Sequence, residues 1–139
     1  MILHKFQKRV RYGETDQMGY LYYGNYAQLY EIGRVELIRN LGITYKSLEE
    51  EHRIMMPVLN MHSRFVRPAF YDEMLTLETQ IRRLPGKEII FHTEIFNEKG
   101  KLVNGGKVTL FFVDMDTNRR VETPEFLMEK LRSYFEGEV

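Results

Sequence analysis

Cysteine is missing from all 139 residues, which removes disulfides, thiolate metal centres and a cysteine nucleophile from consideration. That absence fits a reducing compartment. Net charge is missing too. Twenty Lys and Arg against 20 Asp and Glu leave no broadly basic surface for nucleic acid, only local basic patches. No apolar run is long enough to span a bilayer, and Met1-Ile2-Leu3-His4-Lys5-Phe6-Gln7-Lys8-Arg9 carries no apolar signal-peptide core. A soluble, cytoplasmic protein is expected, with no membrane insertion and no nucleic-acid partner. The four histidines, His4, His52, His62 and His92, lack ligand spacing, so no metal is expected. Repeats, linkers and low-complexity segments are also absent, leaving a single domain over 1–139, long enough to bury a core.

What is present is concentrated in Glu14-Thr15-Asp16-Gln17-Met18-Gly19-Tyr20-Leu21-Tyr22-Tyr23-Gly24-Asn25-Tyr26, which runs straight into a helical pattern. Tyr26, Leu29, Tyr30, Gly33, Leu37 and Leu41 recur at three- and four-residue steps, predicting a helix over Asn25–Leu41. Glu31, Arg34, Glu36 and Arg39 fall mostly off that stripe. Asn25 is placed to cap the start and Gly42 to stop the end. Gly33, on the buried stripe, would allow close approach to a sheet. Thr44 reads as the cap of a short second helix to about Glu51.

Strand signals dominate elsewhere. Residues 4–12 alternate, with Phe6, Lys8, Val10 and Tyr12 on one face. Met55–Arg67, Glu73–Arg83, Lys87–Asn97 and Leu102–Met115 alternate apolar and polar residues, rich in β-branched and aromatic types. Turn chemistry at Leu84-Pro85-Gly86 and Asn97-Glu98-Lys99-Gly100 makes the last three an antiparallel meander. Pro124 opens a terminal helix. The expected fold class is α+β, one long helix against a curved antiparallel sheet of about five strands. Pro57 marks the strand beginning at Met55 as an edge, and a long exposed edge predicts pairing with a second copy.

A carboxylate just before a helix start is chemically suggestive. Unpaired helix N–H groups can hold a polarised carbonyl oxygen while the carboxylate attacks it or activates a water. The bland alternative is that Asp16 only satisfies its own turn. Here the sequence resembles a known family. Tyr12-x-Glu14-Thr15-Asp16-x-x-Gly19-x-x-Tyr22-x-x-Asn25-Tyr26, then Glu31-x-x-Arg34, is similar to the hotdog-fold acyl-CoA thioesterases of the 4-hydroxybenzoyl-CoA thioesterase/YbgC group. Phe65-Val66-Arg67-Pro68-Ala69-x-x-Asp72 and Val113-Asp114 match further blocks, and the resemblance runs from about residue 6 to 125.

The resemblance implies hydrolysis of an acyl-CoA to free acid and CoA without cofactor. The catalytic carboxylate would be Asp16 and the carbonyl-polarising backbone N–H that of Tyr23, at a position where relatives often carry His. It also implies a homodimer or dimer of dimers with sites at the interface. Gly19, Tyr22 and Asn25 are candidates for substrate contact. Arg64 and Arg67, the set Arg82, Arg83 and Lys87, and Arg119-Arg120 are candidates for the phosphorylated adenosine of CoA. Glu31 and Arg34 read as an intrahelical ion pair. Alternatives are an acyl-carrier-protein thioesterase and a non-catalytic acyl-CoA-binding module. A hotdog dehydratase fits less well, because no His lies between His4 and His52.

Overall fold

The computed structural model describes residues 1–137. Strand β1 (Ile2–Arg9) leads through a loop to helix α1 (Tyr26–Asn40) and the short α2 (Tyr45–Glu50). Then come β2 (Ile54–Met55), β3 (Val58–Phe65), β4 (Met74–Ile81), β5 (Glu88–Phe96), β6 (Leu102–Asp114), β7 (Arg119–Val121) and α3 (Glu125–Arg132). Every pairing is antiparallel, in the order β1-β4-β5-β6, with β2 and β3 along one side of β6 and β7 pairing its end. The expected meander is β4-β5-β6. One long helix wrapped by such a sheet is the α+β arrangement the pattern implied, and the hotdog fold the resemblance implied.

The helix sits so close because small side chains face each other where it crosses. Thr79, Thr93, Gly106 and Ser63 form one cross-strand row. Gly33 rests on Thr79, where an added Cβ would collide with the threonine hydroxyl, and the Tyr30 ring rests on Gly106, where a Cβ would enter the ring. The Tyr30 hydroxyl then bonds Ser63 Oγ (2.6 Å) and Asn104 Oδ1, tying the helix to β3 and β6. Leu37 and Ile38 complete the buried face, each worth roughly 1.5–3 kcal/mol of transfer free energy.

Several expectations are corrected. The strand read over Met55–Arg67 is broken into β2 and β3, because Pro57 has no N–H to give the ladder and a register shift follows between Val58 and Asn60. The first strand ends at Arg9, and Tyr12 belongs to a 3-10 turn. Arg34 is not on the polar face: it is 7% exposed, beside the buried Tyr45 hydroxyl. Among the described residues no ion pair joins it to Glu31, and the pair on α1 is Arg39–Glu36 at 2.8 Å. The short helix α2 explains this, since Tyr45 at its start packs beside the Arg34 side chain and shields it from water.

Candidate active site

The loop between β1 and α1 is organised by Glu14. Its Oε1 accepts the Arg11 N–H at 2.7 Å and the Lys8 ammonium at 2.8 Å, fastening the loop to the end of β1. Its carbonyl accepts the Tyr22 N–H and the Asn25 side-chain amide, both at 2.9 Å. Asn25 is therefore not the helix cap its position suggested. A 3-10 turn at Tyr23–Asn25 precedes α1, so Asn25 already has helical dihedrals and its side chain turns back to the loop instead of covering N–H groups ahead of it.

Between those anchors the chain folds on itself. The Asp16 N–H reaches the Tyr20 carbonyl at 2.9 Å, and Gly19, at φ +78°, returns its N–H to the Asp16 carbonyl at 3.0 Å. The Leu21 N–H donates to the Ala69 carbonyl at 2.7 Å, and Tyr20 bridges Phe70, so the Pro68-Ala69 block braces the loop. Asp16 Oδ1 accepts the N–H groups of Met18 (2.9 Å) and Tyr20 (3.2 Å). Oδ2 has no hydrogen-bond partner among the described residues. The turn role expected of an aspartate thus occupies one carboxylate oxygen and leaves the other.

Opposite lies the helix mouth. The Tyr23 and Gly24 N–H groups, first in the 3-10 turn, have no acceptor among the described residues. Such donors carry the positive end of the helix dipole. Asp16 and Tyr23 line the same cavity, of about 320 Å³, with Tyr20, Tyr26, Phe65 and Arg67 among its walls. Tyr23 and Tyr26 meet Phe65 edge to face, at 6.4 and 5.4 Å between ring centres. Burial pushes the Tyr26 hydroxyl up to about 12, so it stays protonated at any working pH. Gly24 has no room for a side chain, since a Cβ there would lie 2.6 Å from the Tyr22 ring.

The basic candidates separate in space. Arg67 lines the Asp16 cavity, its guanidinium donating to the Leu102 carbonyl. Arg64 and Arg82 come together with His62, His92 and Lys107 around a hollow of about 280 Å³ on the sheet face away from α1. That hollow shares Val66 with the Asp16 cavity. Arg83 joins Arg82 in an adjoining hollow of about 440 Å³, whose walls do not include Lys87. Arg120 lies over Phe111 and pairs with Glu88 at 3.4 Å. Burial first, then Arg82 and Lys107, hold the His92 imidazole below its ordinary value, so near neutral pH the positive charge there belongs to Arg64, Arg82 and Lys107. Lys107 was not singled out from sequence, and Phe65 only as part of the block that matches the family, not as a wall of the site. Each lies inside a strand, where only cross-strand register reveals its neighbours.

Comparison with known proteins gives a consistent result. The sequence model of the thioesterase-like superfamily matches residues 10–131. The acyl-CoA thioester hydrolase YbgC of Escherichia coli O157:H7 is 31% identical over 112 residues, 81% of this chain and 83% of that protein. Among solved structures, a DHNA-CoA thioesterase from Staphylococcus aureus superposes with TM-score 0.87 at 30% identity, covering 96% of this chain and 89% of the other. The protein TT1821 from Thermus thermophilus superposes with TM-score 0.86 at 26% identity, covering 93% and 97%. Among the described residues, no helix is long and apolar enough to cross a membrane.

Proposed function

The chain belongs to the thioesterase-like superfamily and is a thioester hydrolase on the hotdog fold, and from that premise we propose that Asp16 and the Tyr23 N–H carry out acyl-CoA hydrolysis. The observation that carries this reading is the shared cavity: Asp16, with one carboxylate oxygen unoccupied, and Tyr23, whose N–H is unpaired, are both among its walls. The thioester carbonyl is electrophilic and a thiolate leaves readily, so strong leaving-group protonation is not required. The Tyr23 N–H receives the developing oxyanion, a contribution of about 3 kcal/mol to the transition state. Asp16 either attacks the acyl carbon, giving an anhydride that water opens, or takes a proton from the attacking water. In both routes the C–S bond breaks, a water oxygen is added in the net reaction, and CoA leaves as a thiolate that is then protonated.

The CoA end needs cationic contacts, and the hollow holding Arg64, Arg82 and Lys107 supports one beyond Val66. A second copy completes the site in this reading. Strand β3 pairs on one side only, and Val58, Leu59, Met61 and Phe65 are exposed along it. Since Phe65 also lines the Asp16 cavity, a partner strand laid along β3 would supply further walls.

Thiol release from a panel of acyl-CoAs, wild type against Asp16→Asn, tests the reading. Turnover by wild type that falls steeply in the variant supports it. Undiminished hydrolysis by Asp16→Asn removes Asp16 from the chemistry, and no turnover of any thioester by wild type favours an acyl-CoA-binding module.

A further inference from the structure

The Asp16 carboxylate is held firmly, but by bonds from within its own loop. Both bonds to Oδ1 come from Met18 and Tyr20, residues of the same turn. They fix the carboxylate against the loop and say nothing of where the loop sits relative to the helix mouth. Ala69 and Phe70 brace the loop from one side, and its tie to the helix start is made two residues before Asp16, at the Glu14 carbonyl. One of its acceptor directions takes the Tyr22 N–H, immediately before the 3-10 turn, and the other takes the Asn25 amide at the end of that turn. The Glu14 side chain is fixed in turn to β1 by the Lys8 ammonium and the Arg11 N–H. The Lys8–Glu14 pair is well covered, its side chains 20% and 19% exposed, so solvent screens it less than a surface pair.

We propose that Asn25 and Glu14 are positioning residues, a clamp that sets the distance and angle between the Asp16 carboxylate and the N–H groups of the helix mouth. The inference rests on the catalytic reading of Asp16. Asn25 is the side-chain member whose bond spans the whole loop, from the helix start back eleven residues to Glu14. Without it the Asp16 turn keeps its internal bonds and its brace to Ala69 but loses the side-chain tie to the helix start. Displacement of a reacting group by about 1 Å costs on the order of 100-fold in rate. The loss falls on the chemical step, because the clamp itself leaves the cavity walls in place.

A double-mutant cycle on the full-length protein with an acyl-CoA substrate tests the clamp. Asn25→Ala is expected to lower kcat about 10- to 100-fold, with KM within about twofold of wild type. In the Asp16→Asn background the same substitution is expected to change the residual kcat by less than about twofold, because there is no longer a carboxylate to position. Lys8→Met, at the far end of the clamp, should lower kcat by a smaller factor with KM again unchanged, and it carries the same cycle if Asn25→Ala does not fold. An unchanged kcat in Asn25→Ala overturns the proposal. So does a rise in KM alone, or a loss that is fully additive with Asp16→Asn. Failure of the catalytic reading looks different: Asp16→Asn itself would then match wild type, whatever Asn25→Ala does.

Discussion

The two ends of helix α1 are built to opposite specifications. At the C-terminal end every device that closes a helix is in place. Gly42, at φ +88°, donates to the Arg39 carbonyl at 2.9 Å, and the Ile43 N–H reaches back to Ile38 at 3.3 Å. Ile38 and Ile43 are both buried, the apolar contact that accompanies this motif. Thr44 and Ser47 then exchange side-chain and backbone bonds to start α2. At the N-terminal end the residue placed to cap has been turned away, and the Tyr23 and Gly24 N–H groups have no acceptor among the described residues, beside an aromatic-walled cavity that Tyr23 lines. Donors left open at one end of a helix so carefully finished at the other leave that end able to receive a polarised oxygen, as the proposed reaction requires.

The comparison is broken most directly at Asp16. Asp16→Asn keeps an oxygen to accept the Met18 and Tyr20 N–H groups, so thermal unfolding should shift little while kcat falls on the order of 10²–10⁴-fold; assays and melting curves on one preparation check both. Next comes the helix seat midway between the ends. Gly33→Val forces a branched side chain into Thr79 and should destabilise by about 1–3 kcal/mol or more, read as a lower denaturation midpoint. At the closed end, Gly42→Ala imposes a positive φ on a residue with a Cβ and should cost about 1 kcal/mol, leaving kcat and KM unchanged. The smallest effect is expected at the open end itself. Tyr23→Phe retains the backbone N–H and the ring against Phe65, so kcat should change by less than about threefold. A large fall there would mean that the hydroxyl, not the backbone, serves the site.

Much of this was readable because it is local. Gly33 and Gly42 follow from the helical period and its stop, and Thr44 from short-range cap chemistry. Asn25 misled because its cap pattern is also local, yet the Glu14 carbonyl eleven residues back competed for its amide and the 3-10 turn removed the extended backbone a cap requires. Arg34 misled because a helical wheel assumes charge faces water, whereas Tyr45 of α2, eleven residues on, covers its side chain.

The sequence by itself determined the order of helices and strands, the stripe of α1, and the loop in which Asp16 must lie, since each depends on residues within a few positions of one another. Only the tertiary structure decided which partners share a space. The seating of Tyr30 on Gly106, the gathering of Arg64, Lys107 and, from just past the end of β4, Arg82, and the closing of Tyr23, Phe65 and Asp16 around one cavity all depend on strand register. Register is set by how a whole sheet packs against its helix, a balance that no single segment contains.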